Sequence, residues 1–154
     1  MPQLLLFAPT EKVVVDYSSM QPSLIGLLHH VAVRVLEGQP PVEDAQVPIR
    51  WSIFTLWQRL PGEEAKKFEQ RTVLVQPDGE DIFSAVRPFR MDQRVHIVVE
   101  HAPSFPIAQA GEHRLILSLR EVGSAEGWAE VASYPIQVVH QVAAANEVDE
   151  TEEQ

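Results

Sequence analysis

Proline is the residue that most restricts how this chain can fold. The sequence contains 12 prolines in 154 residues, and most of them separate short apolar runs. Because proline lacks a backbone N–H and breaks a helix when it lies in the interior, this spacing leaves no room for helices of ordinary length. It favours short strands joined by turns. The prolines that punctuate the chain are Pro9, Pro22, Pro40, Pro41, Pro48, Pro61, Pro77, Pro88, Pro103 and Pro106.

The segment from Phe105 to Val139 carries the clearest strand pattern. Leu115, Leu117 and Leu119 share one parity there and polar residues take most of the other, a period of two that is typical of a half-buried strand. A loop rich in glycine and serine follows, and residues 128–139 then suit a second strand. The segment therefore predicts a β-hairpin formed by the last two strands of an antiparallel sheet.

Alternation also predicts strands elsewhere in the chain. The run SLIGLLHHVAVRVL matches both helical and strand spacing, and its β-branched second half favours a strand. Residues 94–101 alternate as well, with Val95, Ile97 and Val99 on one face and polar residues on the other. We expect the odd-numbered faces of two sheets to pack against each other and form the core.

The composition excludes several classes of protein. The formal net charge is -10, and five acids between Glu147 and Glu153 account for half of it, so the rest is a mildly acidic domain that does not attract nucleic acid. The absence of cysteine excludes disulfide and thiolate zinc sites and fits a reducing compartment. No apolar run reaches the roughly 18 residues of a membrane helix. We therefore expect a soluble, cytoplasmic protein without a membrane partner.

Together these patterns predict an all-β fold, an antiparallel β-sandwich of seven or eight strands. We expect the sandwich to occupy residues 1–141 as one domain, because no linker divides the chain. Residues 142–154 are small and acidic, and they predict a disordered tail.

Five stretches within residues 4–139 carry a family resemblance. They are LLLFAPTEKVVVD, SLIGLLHHVAV, the PGE turn at Pro61–Glu63, LVQPDG at Leu74–Gly79 and FPIAQAGEHRLILSL. In their order the chain resembles a family of small bacterial proteins of unknown function that are predicted to be immunoglobulin-like β-sandwiches. The resemblance implies an immunoglobulin-like sandwich and supplies no catalytic residues. The last hairpin departs from the expected compact turn, since this sequence has VGSAEGW there.

The segment RPFRMDQR is the first candidate for a contact with a ligand or partner. It places Arg87, Arg90 and Arg94 around Phe89 in an otherwise acidic protein. Arginines beside an aromatic ring suit a carboxylate or an acidic partner segment, although charge also keeps an edge strand from pairing with other chains. Trp128 is the second candidate, because an exposed aromatic side chain beside the hairpin loop would serve sugar or protein binding.

No motif for catalysis, metal or cofactor binding is present. The six histidines show no HxH or HExxH spacing, and no serine lies in a G-x-S-x-G elbow. We therefore expect no cofactor and no metal, and we favour a non-enzymatic binding or assembly module that has a protein partner or forms a homodimer. Two alternatives stay open. One is a sandwich that binds sugar or peptide through Trp128 and nearby loops, and the other is an enzyme or metal-binding protein that uses His96, His101 or His113 in an arrangement created by the fold.

Overall fold

The described part of the chain is all-β. The structure, a computed structural model, describes residues 1–16, 18–39 and 41–143, and no helix occurs among them. Accordingly, these residues include no helix of the length and apolarity that a membrane crossing requires. The strands are β1 (Gln3–Val15), β2 (Pro22–Leu27), β3 (His30–Leu36), β4 (Gln46–Val47), β5 (Trp51–Gln58), β6 (Lys67–Val75), β7 (Asp81–Arg90), β8 (Val95–Ala102), β9 (Phe105–Pro106), β10 (Gly111–Glu121) and β11 (Ala129–Ala143).

Two sheets face each other across the core. Sheet 1 has the order β2-β1-β5-β8 and is antiparallel, and sheet 2 has the order β3-β11-β10-β6-β7. The short strands β4 and β9 pair with each other apart from both sheets. In sheet 2, β3 runs parallel to β11, which is possible because the connection between them is most of the chain. The all-β class is confirmed, whereas the wholly antiparallel pairing is wrong at this edge.

The predicted hairpin forms the centre of sheet 2. Strands β10 and β11 pair in antiparallel register from Gly111 opposite Val138 to Leu119 opposite Ala129. The alternating leucines, which include Leu115 and Leu117, are fully buried, so the period-of-two prediction is confirmed. Strands β6 and β3 flank the hairpin on its two sides, so it does not lie at the edge of the sheet.

The run SLIGLLHHVAVRVL forms two strands in different sheets. Strand β2 pairs with β1 in sheet 1, and β3 pairs with β11 in sheet 2, so the chain changes sheet at Leu28 and His29. Gly26 adopts a positive φ of 66° just before this change, a conformation that favours glycine. The β-branched half behaves as predicted, since Val31 and Val33 are buried.

The last strand extends past the position where we placed the end of the domain, residue 141. Strand β11 continues to Ala143, and its final residues pair with β3, Val142 with Val35 and Ala143 with Leu36. Of the predicted acidic tail 142–154, residues 144–154 lie outside the described residues.

Two clusters of apolar side chains fill the space between the sheets. One surrounds Trp51, whose ring lies 5.9 Å from that of Phe83 and 5.5 Å from that of Phe105. The other surrounds Trp57, whose ring stacks on Phe89 at 5.8 Å. Because aromatic side chains bury the largest apolar areas, these rings anchor one sheet to the other.

A network of polar side chains also joins the sheets in the core. The carboxyl group of Glu100 in β8 accepts hydrogen bonds from Gln70 Nε2 at 3.0 Å and from Thr72 Oγ1 at 2.5 Å, both in β6. Gln70 Oε1 accepts hydrogen bonds from Thr55 Oγ1 at 2.7 Å and Trp57 Nε1 at 3.0 Å, both in β5. All five residues are at most 2% exposed. The network therefore ties sheet 1 to sheet 2 where water cannot compete.

This network determines which face of β8 turns inward. In the described part of the chain, no basic group lies within 4.0 Å of the carboxyl oxygens of Glu100, so hydrogen bonds alone satisfy them. With Glu100 inside, His96 also faces inward, and Val95, Ile97 and Val99 must face outward because side chains alternate along a strand. We expected these three residues to face the core, and that prediction is wrong.

The substitution Thr72→Val tests the network. It removes the hydroxyl group that donates to Glu100 while keeping the shape of the side chain. We expect the free energy of unfolding to fall by about 1–3 kcal/mol, because a buried carboxyl oxygen loses its donor. Urea denaturation followed by tryptophan fluorescence measures the change.

The matched background for this test is Glu100→Leu. In that background Thr72→Val leaves no acceptor without a donor, so the same substitution should cost less. An equal cost in both backgrounds would show that the two side chains are not energetically coupled.

Candidate functional site

The residues of RPFRMDQR do not converge on one surface. Arg87 and Phe89 share one face of β7, and Arg90 lies on the opposite face. Arg94 lies in the connection that crosses from sheet 2 to the start of β8 in sheet 1. Alternation along β7 and the crossing to sheet 1 therefore separate side chains that are neighbours in sequence.

Phe89 is part of the core. Its side chain is 7% exposed, and its ring stacks on Trp57 and, at a centroid distance of 5.2 Å, on His96. It therefore offers no surface to a ligand in this structure.

The three arginines are exposed and act separately. Arg90 forms an ion pair with Asp92 at 3.3 Å, in which both side chains are more than half exposed. Arg87 lies on β7, the edge strand of sheet 2, where a charged side chain discourages pairing with another chain. The arrangement does not give the two or more converging guanidinium groups that would grip an acidic segment.

Trp128 is covered by two arginines. The guanidinium carbons of Arg71 and Arg120 lie 4.9 and 4.3 Å from the centroid of its ring. Arg120 is fixed in turn by a hydrogen bond from Nε to Glu69 Oε2 at 2.7 Å. These cation–π contacts use the ring face on which a sugar would stack. Trp128 thus packs over the outer face of sheet 2.

The three histidines of the metal hypothesis lie in separate places. His96 faces the core, His113 is fully buried near Phe105, and His101 lies on the outer face of sheet 1. The Nδ1 atom of His101 is 2.8 Å from Ser52 Oγ. Across residues 1–16, 18–39 and 41–143, no three His, Asp or Glu side chains come together in a way that could hold a metal ion.

Burial lowers the pKa of two of these histidines, His113 and His96. Desolvation lowers the pKa of His113 below the ordinary value of 6.5; a hydrogen bond to the Gly111 carbonyl and the charge of Asp78 oppose the shift, and His140 adds to it. Desolvation also lowers the pKa of His96, against the charge of Asp92. Both rings are therefore held as neutral groups that help to fill the interior.

The outer face of sheet 1 is the largest unexpected feature of the surface. Because Trp57 and Glu100 face the core, the alternate positions of β5 and β8 face outward, and the outward positions of β1 and β2 continue the same surface. Several of its exposed side chains are apolar, with Leu27 at 52% and Ile25 at 51%, and the polar ones include Lys12 and His101. We call this surface the apolar face of sheet 1 and define it by Leu6, Ile25, Leu27, Phe54, Leu56, Val95, Ile97 and Val99.

Phe54 shows how strongly this face is patterned for burial. It lies opposite Ala8 on one side and Val99 on the other, and it is fully buried. It nevertheless belongs to neither of the two interior clusters. Its ring is already covered within a single chain, so the surface that this face leaves for a partner is that of its exposed aliphatic side chains.

The sequence indicated that three residues of this face share one side of their strand, but it predicted that this side faces the core. Alternation correctly grouped Val95, Ile97 and Val99, and only their direction was wrong. Glu100 faces inward because it accepts hydrogen bonds from Gln70 and Thr72. These two residues lie at even-numbered positions of β6, and no pattern in the sequence indicates that β6 faces β8.

The low pKa of His113 predicts a dependence of stability on pH. The folded pKa lies below 6.5, the ordinary value that we assign to the unfolded chain, so the unfolded state binds more protons at pH values just below 6.5. The contribution of His113 to stability is therefore fully present above pH 6.5 and is lost as the pH falls from that value through the folded pKa. In His113→Gln this loss should be smaller, as measured by urea midpoints over a pH series.

The substitution His30→Gln, at an exposed position on β3, is the control and should keep the wild-type pH dependence. A pH dependence in His113→Gln that equals that of the wild type would assign the effect to other groups.

Comparison with known proteins adds a limited structural likeness. No family model and no curated protein matches the chain. Among solved structures, the chain is similar to the N-terminal domain of PorA, with 10% sequence identity and a TM-score of 0.31 over 88% of this chain and 98% of that chain. A likeness at this level identifies neither a family nor a function.

Proposed function

We propose that this chain is a non-enzymatic binding or assembly module of the bacterial cytoplasm, built as an immunoglobulin-like sandwich, that pairs with a second copy of itself through the apolar face of sheet 1. The observation that carries the proposal is the outward direction of Val95, Ile97 and Val99 on β8, on the same face where β2, at the opposite edge of sheet 1, has the half-exposed Ile25 and Leu27. Apolar surface exposed on several strands of one sheet face marks interaction sites. The lack of cysteine supports a reducing compartment.

The charge of the chain favours a second copy as the partner. The protein contains 22 acidic residues and a formal net charge of -10, so most approaches between two copies are repulsive. The outward positions of sheet 1 on its paired strands include no aspartate or glutamate, and their one charged side chain is that of Lys12. Two copies can therefore meet through this face without bringing carboxylates together.

The geometry of a sheet face suits a two-fold pairing. In a C2 dimer the same patch serves both partners, so an apolar surface without carboxylates is complementary to itself. Two sheets pack face to face at about 10 Å, which would bury Leu6, Leu27 and Ile97 of each copy. The edge strands β2 and β8 bound the face and complete its rim.

The other functions receive less support from the structure. The guanidinium groups of Arg71 and Arg120 lie over the ring of Trp128, so little of the ring is left for stacking against a sugar. Ser52 and His101 form a hydrogen bond, but in the described residues no carboxyl group contacts the other nitrogen of His101 to orient it as the base of a triad.

The substitution Leu27→Glu tests the dimer. It places a charge on an exposed position of β2, where a single chain tolerates it and an apolar interface does not. We expect the dissociation constant to rise at least about tenfold, which corresponds to a loss of about 1.4 kcal/mol. Sedimentation velocity over a concentration series measures it.

Val86→Glu is the matched control, because Val86 is 44% exposed on the outer face of sheet 2. This variant should associate like the wild type. A wild-type chain that stays monomeric at every concentration, or equal weakening by both substitutions, would refute the proposal.

A further inference from the structure

A second feature lies at one end of sheet 1, where β5 begins. Strand β1 pairs with β5 only as far as Thr10 opposite Ser52, and it then continues beside β2 alone. Strand β8 ends at Ala102, opposite Trp51, the first residue of β5. The space beyond that point, between β1 and the end of β8, is left as a cavity of about 510 Å³.

Basic side chains line this cavity. Lys12 extends from β1, and Arg50 lies just before β5; both are exposed. Neither forms an ion pair within 4.0 Å with any carboxylate of the described residues. In a protein with a net charge of -10, two cations without partners beside one cavity create a local site that attracts an anion.

An acid, Glu11, also contributes to the wall, but its side chain has a structural role. It lies opposite Gly26 on β2, and its carboxyl carbon is 2.6 Å from the place that a Cβ on Gly26 would occupy. The glycine therefore provides the room that the side chain of Glu11 fills. Lys12 is on the other face of β1, as alternation requires.

Ser52 and His101 provide a polar group of fixed position. Ser52 is 4% exposed, and its hydroxyl oxygen is 2.8 Å from His101 Nδ1. Because this contact occupies Nδ1, the other ring nitrogen, Nε2, is the one that a ligand can reach. The pairing of β5 with β8 places the two residues directly opposite each other, so the position of the ring follows from the sheet register.

We propose that this cavity binds a small aliphatic carboxylate. The guanidinium group of Arg50 matches a carboxylate with two parallel hydrogen bonds, Lys12 adds a point charge, and His101 Nε2 supplies a further polar contact. The apolar wall, which includes Val13 and Pro103, accepts the hydrocarbon part of the ligand. The site adjoins the apolar face, since Lys12 lies opposite Ile25 and Ser52 and His101 point to the same side of sheet 1, but it uses none of the residues that define that face.

The probe is hexanoate, with hexanol as a neutral molecule of the same chain length. Titration of the full-length protein should produce saturable NMR shifts at the His101 ring and the Arg50 side chain with hexanoate. Hexanol should produce none there, because it lacks the charge that the cations recognise. Saturable binding of both probes with equal affinity would mean a hydrophobic recess and would overturn the proposal.

The variants Arg50→Gln and Lys12→Gln should each weaken hexanoate binding by about tenfold or more, as expected for the loss of a charge-assisted contact. Both positions are exposed, so folding should survive, and the dispersion of the amide spectrum checks it. Arg34→Gln, an exposed arginine on β3, is the control and should bind like the wild type. Unchanged affinity in Arg50→Gln, or no saturable shift with hexanoate in the wild type, would also overturn the proposal.

Discussion

The hydrogen bonds that hold Glu100 between the two sheets are the constraint on which the rest of the structure depends. A carboxyl group in an apolar core is costly unless both oxygens have donors, and Gln70 and Thr72 supply one each. Since side chains alternate along a strand, fixing Glu100 inward fixes every other side chain of β8. The buried position of Glu100 and the outward direction of Val95, Ile97 and Val99 are thus two results of one strand orientation.

The apolar face of sheet 1 follows from that strand orientation, and its exposed aliphatic side chains are the basis for the proposed dimer. Monomeric soluble proteins rarely expose large patches of aliphatic side chains to water, although single exposed ones are common. Here they occur on all four strands of sheet 1, and the outward positions include no acid, although acidic residues are frequent elsewhere in the chain. Burial against another sheet accounts for both properties. The cavity at the start of β5 differs from this face, because Lys12, Arg50 and one acid, Glu11, line it.

Sequence reasoning reached the fold class because proline spacing and a period of two are local properties. It located the hairpin and grouped the side chains of β8 correctly. It failed where the answer depends on contacts distant in sequence. Alternation states which residues share a face but not which face is inside, and the direction of β8 depends on Gln70, 30 residues earlier. The parallel pairing of β3 with β11 and the split of SLIGLLHHVAVRVL are likewise decided by strands far along the chain.

The candidate site was harder to predict for the same reason. Arg87, Arg90 and Arg94 looked like a cluster in sequence, but Arg87 and Arg90 lie on opposite faces of β7, and Arg94 lies in the crossing to sheet 1. Conversely, Ser52 and His101 are 49 residues apart and meet only through the register of β5 and β8. Trp128 was proposed as a ligand or partner contact from its place beside the hairpin loop, and the contacts of its ring with Arg71 and Arg120 depend on the folded sheet.

Methyl NMR with a soluble paramagnetic probe tests the central claim most directly, because it reports which methyl groups water can reach. We predict that the methyl groups of Leu6 and Ile97 are shielded in a concentrated sample almost as well as those of the core residue Leu117, and become accessible on dilution. The exposed Val142 serves as the accessible reference. If Leu6 and Ile97 relax as fast as Val142 at every concentration, the apolar face of sheet 1 is not buried by a second copy and the account is contradicted.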